Sequence, residues 1–388
     1  MNISTPNKYL TVIGLLAIML LTQPLAPLAG PSNTAPKTNE RKQKQIYLAL
    51  LLDTSNSMDG LIDQAKSQLW NIVDELANAE HGGTEAELNI SLYEYGNDNL
   101  SVRNGYVRQI TPFTTDLDEI SAQLFALKTN GGSEYCGTVI KRSLTDLDWG
   151  NDSEDLKLVF IAGNEPFDQG SISFEQQCVH AQQSNIQVNT IFCGPYKQGI
   201  SALWKKGADL GGGSYLNIDM DQKTVYVATP YDASIDSLNN LLNDTYIAYG
   251  VRGRQKKAQQ LQEDSNAESY SSANKVRRAI SKSKHVYKNA TWDLVDALDE
   301  EEVDLSALED SELPEEMAGL TVSEKETYIK HKKRSRTVYQ KQIQDLGTKR
   351  SRYIKAYNDS LSVENPLEVA ILQSVKQAAK EKQFTFKE

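Results

Sequence analysis

Tyr47-Leu48-Ala49-Leu50-Leu51-Leu52-Asp53-Thr54-Ser55-Asn56-Ser57 is the stretch on which the reading of this chain turns. An apolar run of strand length ends in one carboxylate and two hydroxyls spaced two residues apart, and Met58-Asp59-Gly60 then leads into a helical pattern. The expectation is a strand buried on both faces, as in a parallel sheet, then a polar turn and a helix. A turn holding Asp53, Ser55 and Ser57 can aim three oxygens at one point. Such a set suits a hard divalent cation, Mg²⁺ or Mn²⁺, which keeps part of its water shell. Open α/β sheets bind ligands at the carboxyl ends of their strands, so the position of the triplet makes it a candidate metal site. The plainer alternative is a loop whose Ser55 or Ser57 caps the next helix.

Working outward, Ile62, Ala65, Leu69, Ile72, Val73 and Leu76 recur at helical spacing, and His81-Gly82-Gly83 ends that helix. Leu88 to Tyr95 and Tyr106 to Ile110 read as two strands of a hairpin at a sheet edge. Helices are expected near 116–128, 173–184 and 201–210, and another after the loop at 129–132 with Val139, Ile140, Leu144 and Leu147 apolar. Strands are expected at 156–161, 186–192 and 215–218, with one more short strand near 224–229 and a helix over 233–246. Strands alternating with helices mean α/β, a doubly wound and mostly parallel sheet. Right-handed crossovers then gather the loops 53–57, 130–134 and 162–168 at one edge.

The D-x-S-x-S turn after a buried strand, the early hairpin and the later crossovers resemble the von Willebrand factor type A (VWA) family over residues 45 to about 250. The turn resembles the first motif of that family's metal-ion-dependent adhesion site (MIDAS). The resemblance implies a further oxygen donor from a Gly-Gly-Thr-like loop, where this chain has Gly131-Gly132-Ser133, with Thr138 as the fallback if the loop aligns differently. It also implies an aspartate after the fourth strand. Here the chain has Ala162-Gly163-Asn164-Glu165-Pro166, so Gly163 stands in the aspartate's place. The loss of that carboxylate weakens cation binding unless Asn164 or Glu165 swings in. The implied metal ligands are therefore Asp53, Ser55, Ser57, Ser133 and Glu165, holding Mg²⁺ or Mn²⁺ weakly.

Residues 1–30 read as an export signal, with Lys8, an apolar core from Leu10 to Leu21 and a Pro/Ala/Gly exit. An uncleaved anchor is the minority alternative. Residues 31–44 read as a polar linker, 45–250 as the VWA domain and 251–388 as a helical extension, so the whole is an exported, periplasmic or envelope-associated protein. In the extension, helices are expected near 254–283 and over 323–361. Ile329, Tyr339, Ile343, Leu346, Tyr353 and Tyr357 form a seam with Lys332, Arg336 and Arg350. The acidic run from Asp293 to Glu316 and the basic face from Lys330 to Arg336 are placed to neutralise each other as solvated surfaces. Of the three cysteines, Cys136, Cys178 and Cys193, a pair can form one bridge in an exported protein; three buried thiols is the equal alternative.

Acids outnumber bases 52 to 41, for a net charge of −11, which disfavours nucleic acid and anionic membranes as partners. The four histidines are scattered, with no zinc spacing, and the sequence holds no nucleophile elbow or nucleotide-binding glycine loop. The expected function is a metal-dependent, adhesion-type protein-binding module of the cell envelope, not an enzyme, with a partner's carboxylate completing the ion's coordination. The alternative is a scaffold with a vestigial metal site that acts through its helical tail. A metal-assisted hydrolase, with Glu165 or Glu134 as general base, is the remaining reading.

Overall fold

The computed structural model describes residues 43–218, 227–270, 272–361 and 366–386. The export signal, nearly all of the linker and the start of the strand expected at 224–229 lie outside the described residues. In chain order the first half comprises β1 (Gln45–Asp53), α1 (Ile62–Leu76), β2 (Ala79–His81), β3 (Thr84–Glu85), β4 (Glu87–Tyr95), β5 (Val107–Thr114), α2 (Leu117–Ala126) and α3 (Cys136–Asp146). Next come β6 (Leu156–Gly163), α4 (Phe174–Gln183), β7 (Gln187–Cys193), α5 (Tyr196–Ser201), α6 (Trp204–Leu210), β8 (Gly212–Ile218) and α7 (Asp232–Asn243). The extension holds α8 (Gly250–Tyr270), α9 (Ser272–Lys282), α10 (Leu294–Asp299), α11 (Val322–Leu361), α12 (Pro366–Glu381) and β9 (Phe384–Phe386).

The main sheet runs β5-β4-β1-β6-β7-β8. Only β5 is antiparallel, paired to β4 at the edge, so the expected hairpin and doubly wound parallel sheet are both present. The chain builds outward from β1 to β4 and β5, then returns to β1's other side and builds outward again through β6, β7 and β8. The order therefore reverses between β1 and β6, the position at whose carboxyl ends such sheets form their ligand crevice.

Alternation along β1 sorts its side chains between two cores, which is why the run has to be apolar throughout. Ile46, Leu48, Leu50 and Leu52 join one buried cluster with α1 and α2. Ala49 and Leu51 join the other, with Val139, Ile140, Phe167 and Trp204.

The boundary expected at Gly250 is a change of texture and not an edge of the core. Ile343, Ile371, Val375, Ala379 and Phe384 lie in the same buried cluster as Leu48 and Leu50. α12 packs on α1 and β8, α7 lies against α9 and α11, and β9 pairs with β2. The described residues from Gln43 onward cluster as one compact unit. The physical reason is that a parallel sheet needs cover on both faces, and the extension supplies part of it.

The long helix α11 uses only part of its expected seam. Ile329, Arg336, Ile343 and Arg350 are buried, whereas Tyr353 and Tyr357 are exposed. The helix expected over 254–283 is two, α8 and α9. Cys136, Cys178 and Cys193 are all free and buried, so the bridge is not formed. Among the described residues no helix is long and apolar enough to cross a membrane.

Candidate metal site

Strand register puts the site at the crevice. Asp53 lies opposite Tyr95 across β1 and β4, and Leu52 lies opposite Ala162 across β1 and β6, which brings Asp53, Tyr95 and Gly163 to one level. Asp53 is fully buried. Its Oδ1 accepts a hydrogen bond from the Ser55 amide at 2.8 Å, and its Oδ2 is buried without any partner. Ser55 Oγ and Ser57 Oγ are 2.9 Å apart. Ser57 Oγ donates to Asn164 Oδ1 at 2.9 Å, and Asn164 Nδ2 donates to the Ser57 carbonyl at 2.8 Å, which ties the first turn to the loop after β6. The turn's backbone is held from the other side. The Thr54 amide donates to the Tyr95 carbonyl at 2.9 Å and the Thr54 carbonyl accepts from the Asn130 amide at 3.0 Å.

The 130–134 loop reaches this turn because of its glycines. Gly132 sits at φ +142°, and a Cβ there would fall 1.9 Å from the Gly96 carbonyl oxygen, so only glycine lets the loop lie on the turn after β4. The consequence is that Glu134, 7% exposed, lands beside Asp53. A Cβ built on Gly96 would be 2.7 Å from Asp53 Oδ1 and 3.0 Å from Glu134 Cγ, so the two acidic side chains flank one point.

Of the expected ligands, the structure brings together Asp53, Ser55 and Ser57. Ser133 is half-buried in the neighbouring loop and makes no hydrogen bond among the described residues. Thr138, the fallback, packs on Gly105, whose Cβ would lie 2.8 Å from Thr138 Cγ2. Glu165 is half-buried, its carbonyl takes the Trp204 indole N–H at 2.7 Å, and its charge is felt by both Asp53 and Glu134. Asn164 turns its side chain to Ser57, with both amide atoms hydrogen-bonded there. Glu134, weighed from the sequence only as a general base, is the acidic residue that stands beside Asp53 without having been expected there. Its signal is its place directly after Gly-Gly-Ser.

Burial pushes the Asp53 carboxyl up to about 7; hydrogen bonding by Ser55 opposes the rise, and the charges of Glu134 and Glu165 add to it. Glu134 is raised too, first by burial and then by the Glu165 charge, while nearby Gln169 and Ser55 side chains pull the other way. The place of the missing aspartate is occupied. A Cβ at Gly163 would lie 2.6 Å from the Tyr95 hydroxyl and 3.0 Å from Asp53 Oδ2. That hydroxyl is fixed by donating to the Ala162 carbonyl at 3.1 Å.

Among the described residues no three His, Cys, Asp or Glu side chains stand close enough to hold a metal on their own. A cation here therefore depends on serine hydroxyls as well. The donor set fits one: an orphaned buried carboxylate oxygen, paired hydroxyls and a second carboxylate close by, all of them oxygen, which suits a hard divalent ion.

A strand-end D-x-S-x-S turn at the switch point of a doubly wound sheet with one antiparallel edge strand is the arrangement that the type A resemblance implies, and this chain adds a helical extension to it. The chain is similar in fold to the VWA domain of SpRpn10, at 13% identity and TM-score 0.37, over 46% of this chain and 90% of that one. It is similar to BatB from Bacteroides thetaiotaomicron at 17% identity and TM-score 0.35, over 45% and 90%. It is also similar to proximal thread matrix protein 1 of the mussel byssus, a structure with a zinc-occupied MIDAS motif, at 11% identity and TM-score 0.34, over 46% and 43%. No family model and no curated protein matches the sequence.

Proposed function

We propose that this chain is a divalent-ion-dependent protein-binding module of the cell envelope, in which Asp53, Ser55 and Ser57 hold Mg²⁺ or Mn²⁺ and a partner's oxygen donor completes the coordination. The observation that carries this reading is Asp53 Oδ2, fully buried and unpartnered at the sheet's switch point. A buried carboxylate oxygen without a partner costs roughly 2 kcal/mol or more, and a bound cation removes that cost. Ser57 is exposed, so the ion is reachable from solvent. Bound there, the ion supplies an electrophilic point with an open position; the loops around it supply shape. A partner carboxylate was expected because a single protein carboxylate leaves the ion's charge largely unmet. With Glu134 beside Asp53, that charge is better met, and a neutral oxygen donor fits as well as an Asp or Glu.

The reading is a binding module and not an enzyme, because Glu134, one of the two glutamates a hydrolase would use as a base, itself flanks Asp53 where a cation would engage it. Titration calorimetry with Mg²⁺ and Mn²⁺ tests the reading. Heat and a raised melting temperature are expected for the wild type and not for Asp53→Ala. Identical metal heats for the two proteins would refute it.

A further inference from the structure

We propose that Glu134 is the second anionic ligand of this site, in the role that glycine at 163 leaves empty; the inference rests on the metal-binding reading above. The first ground is steric. The Tyr95 hydroxyl, anchored on the Ala162 carbonyl, fills the room a side chain at 163 would need, so the carboxylate has to come from another loop. The second is delivery. The positive-φ glycines at 96 and 132 leave out the two Cβ atoms that would keep the 130–134 loop off Asp53, and Glu134 is the residue this close approach brings in.

The third ground is charge. Asp53 is fully buried and Glu134 nearly so, yet among the described residues neither they nor Glu165 has a Lys, Arg or His ion-pair partner. Buried carboxylates in a folded chain are normally paired or bound to metal. Glu165 is the more open of the two glutamates and is held at its backbone by Trp204, so it is assigned no inner position. Ser133 has no contact that places it there. The consequence is a near-neutral site that holds its cation without a partner's carboxylate, so metal affinity is set by the chain alone.

The test uses the full chain, with Mn²⁺ calorimetry and melting curves in EDTA and in Mn²⁺, on wild type, Glu134→Gln, Glu134→Asp, Glu165→Gln, Ser133→Ala and Asp53→Ala. Glu134→Gln is expected to lower Mn²⁺ affinity on the order of tenfold or more, since ligand charge sets affinity at such sites. It should also erase most of the metal-dependent rise in melting temperature, while melting in EDTA stays level or rises because a buried charge is gone. Glu165→Gln and Ser133→Ala should stay within about threefold of wild type. Glu134→Asp, with a shorter reach and the same charge, should fall between wild type and Glu134→Gln. If Glu134→Gln binds Mn²⁺ like wild type while Asp53→Ala does not, the role of Glu134 is overturned and the metal site stands. If wild type itself shows no heat and no shift, both fall.

Discussion

Replacing Asp53 with asparagine removes a charge and keeps the shape, and the structure fixes how its effect on stability depends on pH. In EDTA the wild-type carboxyl titrates near about 7 instead of 3.8, chiefly because it is buried. A carboxyl whose folded-state value is raised keeps its full contribution to stability below the unfolded value and loses it as pH rises through the folded one. A rise of about three units corresponds to about 4 kcal/mol at full ionisation, of which about 1.5 kcal/mol is already lost near about pH 5. The wild type should therefore lose about 2.5 kcal/mol relative to Asp53→Asn between about pH 5 and about pH 8. Urea unfolding of both proteins across that range, in EDTA, measures it. Asp296, raised to about 6, and Lys257, lowered to about 8, titrate in the same window but are common to both proteins and cancel in the difference. Excess Mg²⁺ should reverse the trend, since the ion binds the ionised form and lifts only the wild type at high pH. A difference that stays flat across the pH range in EDTA would refute the account of Asp53 as a buried, unpaired carboxylate.

Ending the chain after Gly250 should abolish cooperative folding, because Ile371, Val375 and Phe384 go with the tail; Val375→Ala in the full chain should cost roughly 2–4 kcal/mol in urea unfolding. A soluble 43–250 fragment that melts like the full chain would overturn this. Gly163→Asp, which restores the residue the resemblance implies, should lower the melting temperature and fail to tighten Mn²⁺ binding, since its Cβ meets the Tyr95 hydroxyl and Asp53. In calorimetry, a tighter site in that variant would refute the steric reading. Without reductant, a thiol reagent should find all three cysteines unreactive in the native protein and all three reactive in guanidinium. Arg336→Met should cost roughly 3–5 kcal/mol, because it leaves Asp293 buried without its cation, and adding Asp293→Asn should recover part of the loss.

What could be read in the sequence follows the range of each signal. The sheet and its crevice were legible because an unbroken apolar run means two-faced burial and because D-x-S-x-S is local: Asp53, Ser55 and Ser57 come from one turn and meet as expected. Beyond its place after Gly-Gly-Ser, the closeness of Glu134 to Asp53 was not legible because it depends on a close approach of two loops. That contact is set by glycines at 96 and 132, far apart in sequence, and neither glycine announces its partner. The emptiness at Gly163 was legible, but its cause was not, since Tyr95 fills that space from the neighbouring strand. The tail's place in the core escaped because its apolar residues are sparse among charges and their period marks a helix face without naming what that face covers. The acidic and basic runs met as expected, but at their centre the contact is buried instead of solvated. Arg336 reaches both Asp293 oxygens, at 2.7 and 3.0 Å, and its guanidinium lies 4.2 Å from the centre of the Tyr246 ring.

The buried charges of this chain fall into two kinds, and the same physics separates them. Arg278 is bonded to Asp118 at 2.8 Å and to Asp264 at 2.6 Å, and Tyr287 donates to Asp118 at 2.6 Å. Arg278 and Tyr287 join the extension to Asp118 of the sheet domain, the Arg336 pair lies within the extension, each charge has its opposite, and together they behave as part of the packing. Asp53 and Glu134 are as deeply buried and, among the described residues, have no opposite charge. Selection for stability alone would replace them with asparagine and glutamine, each a shape-preserving change that removes a desolvated charge. Their place where the strand order of the main sheet reverses is accounted for if a cation completes the site. The well-compensated tail contacts can then be seen as what lets the sheet edge carry two acids that destabilise the metal-free fold.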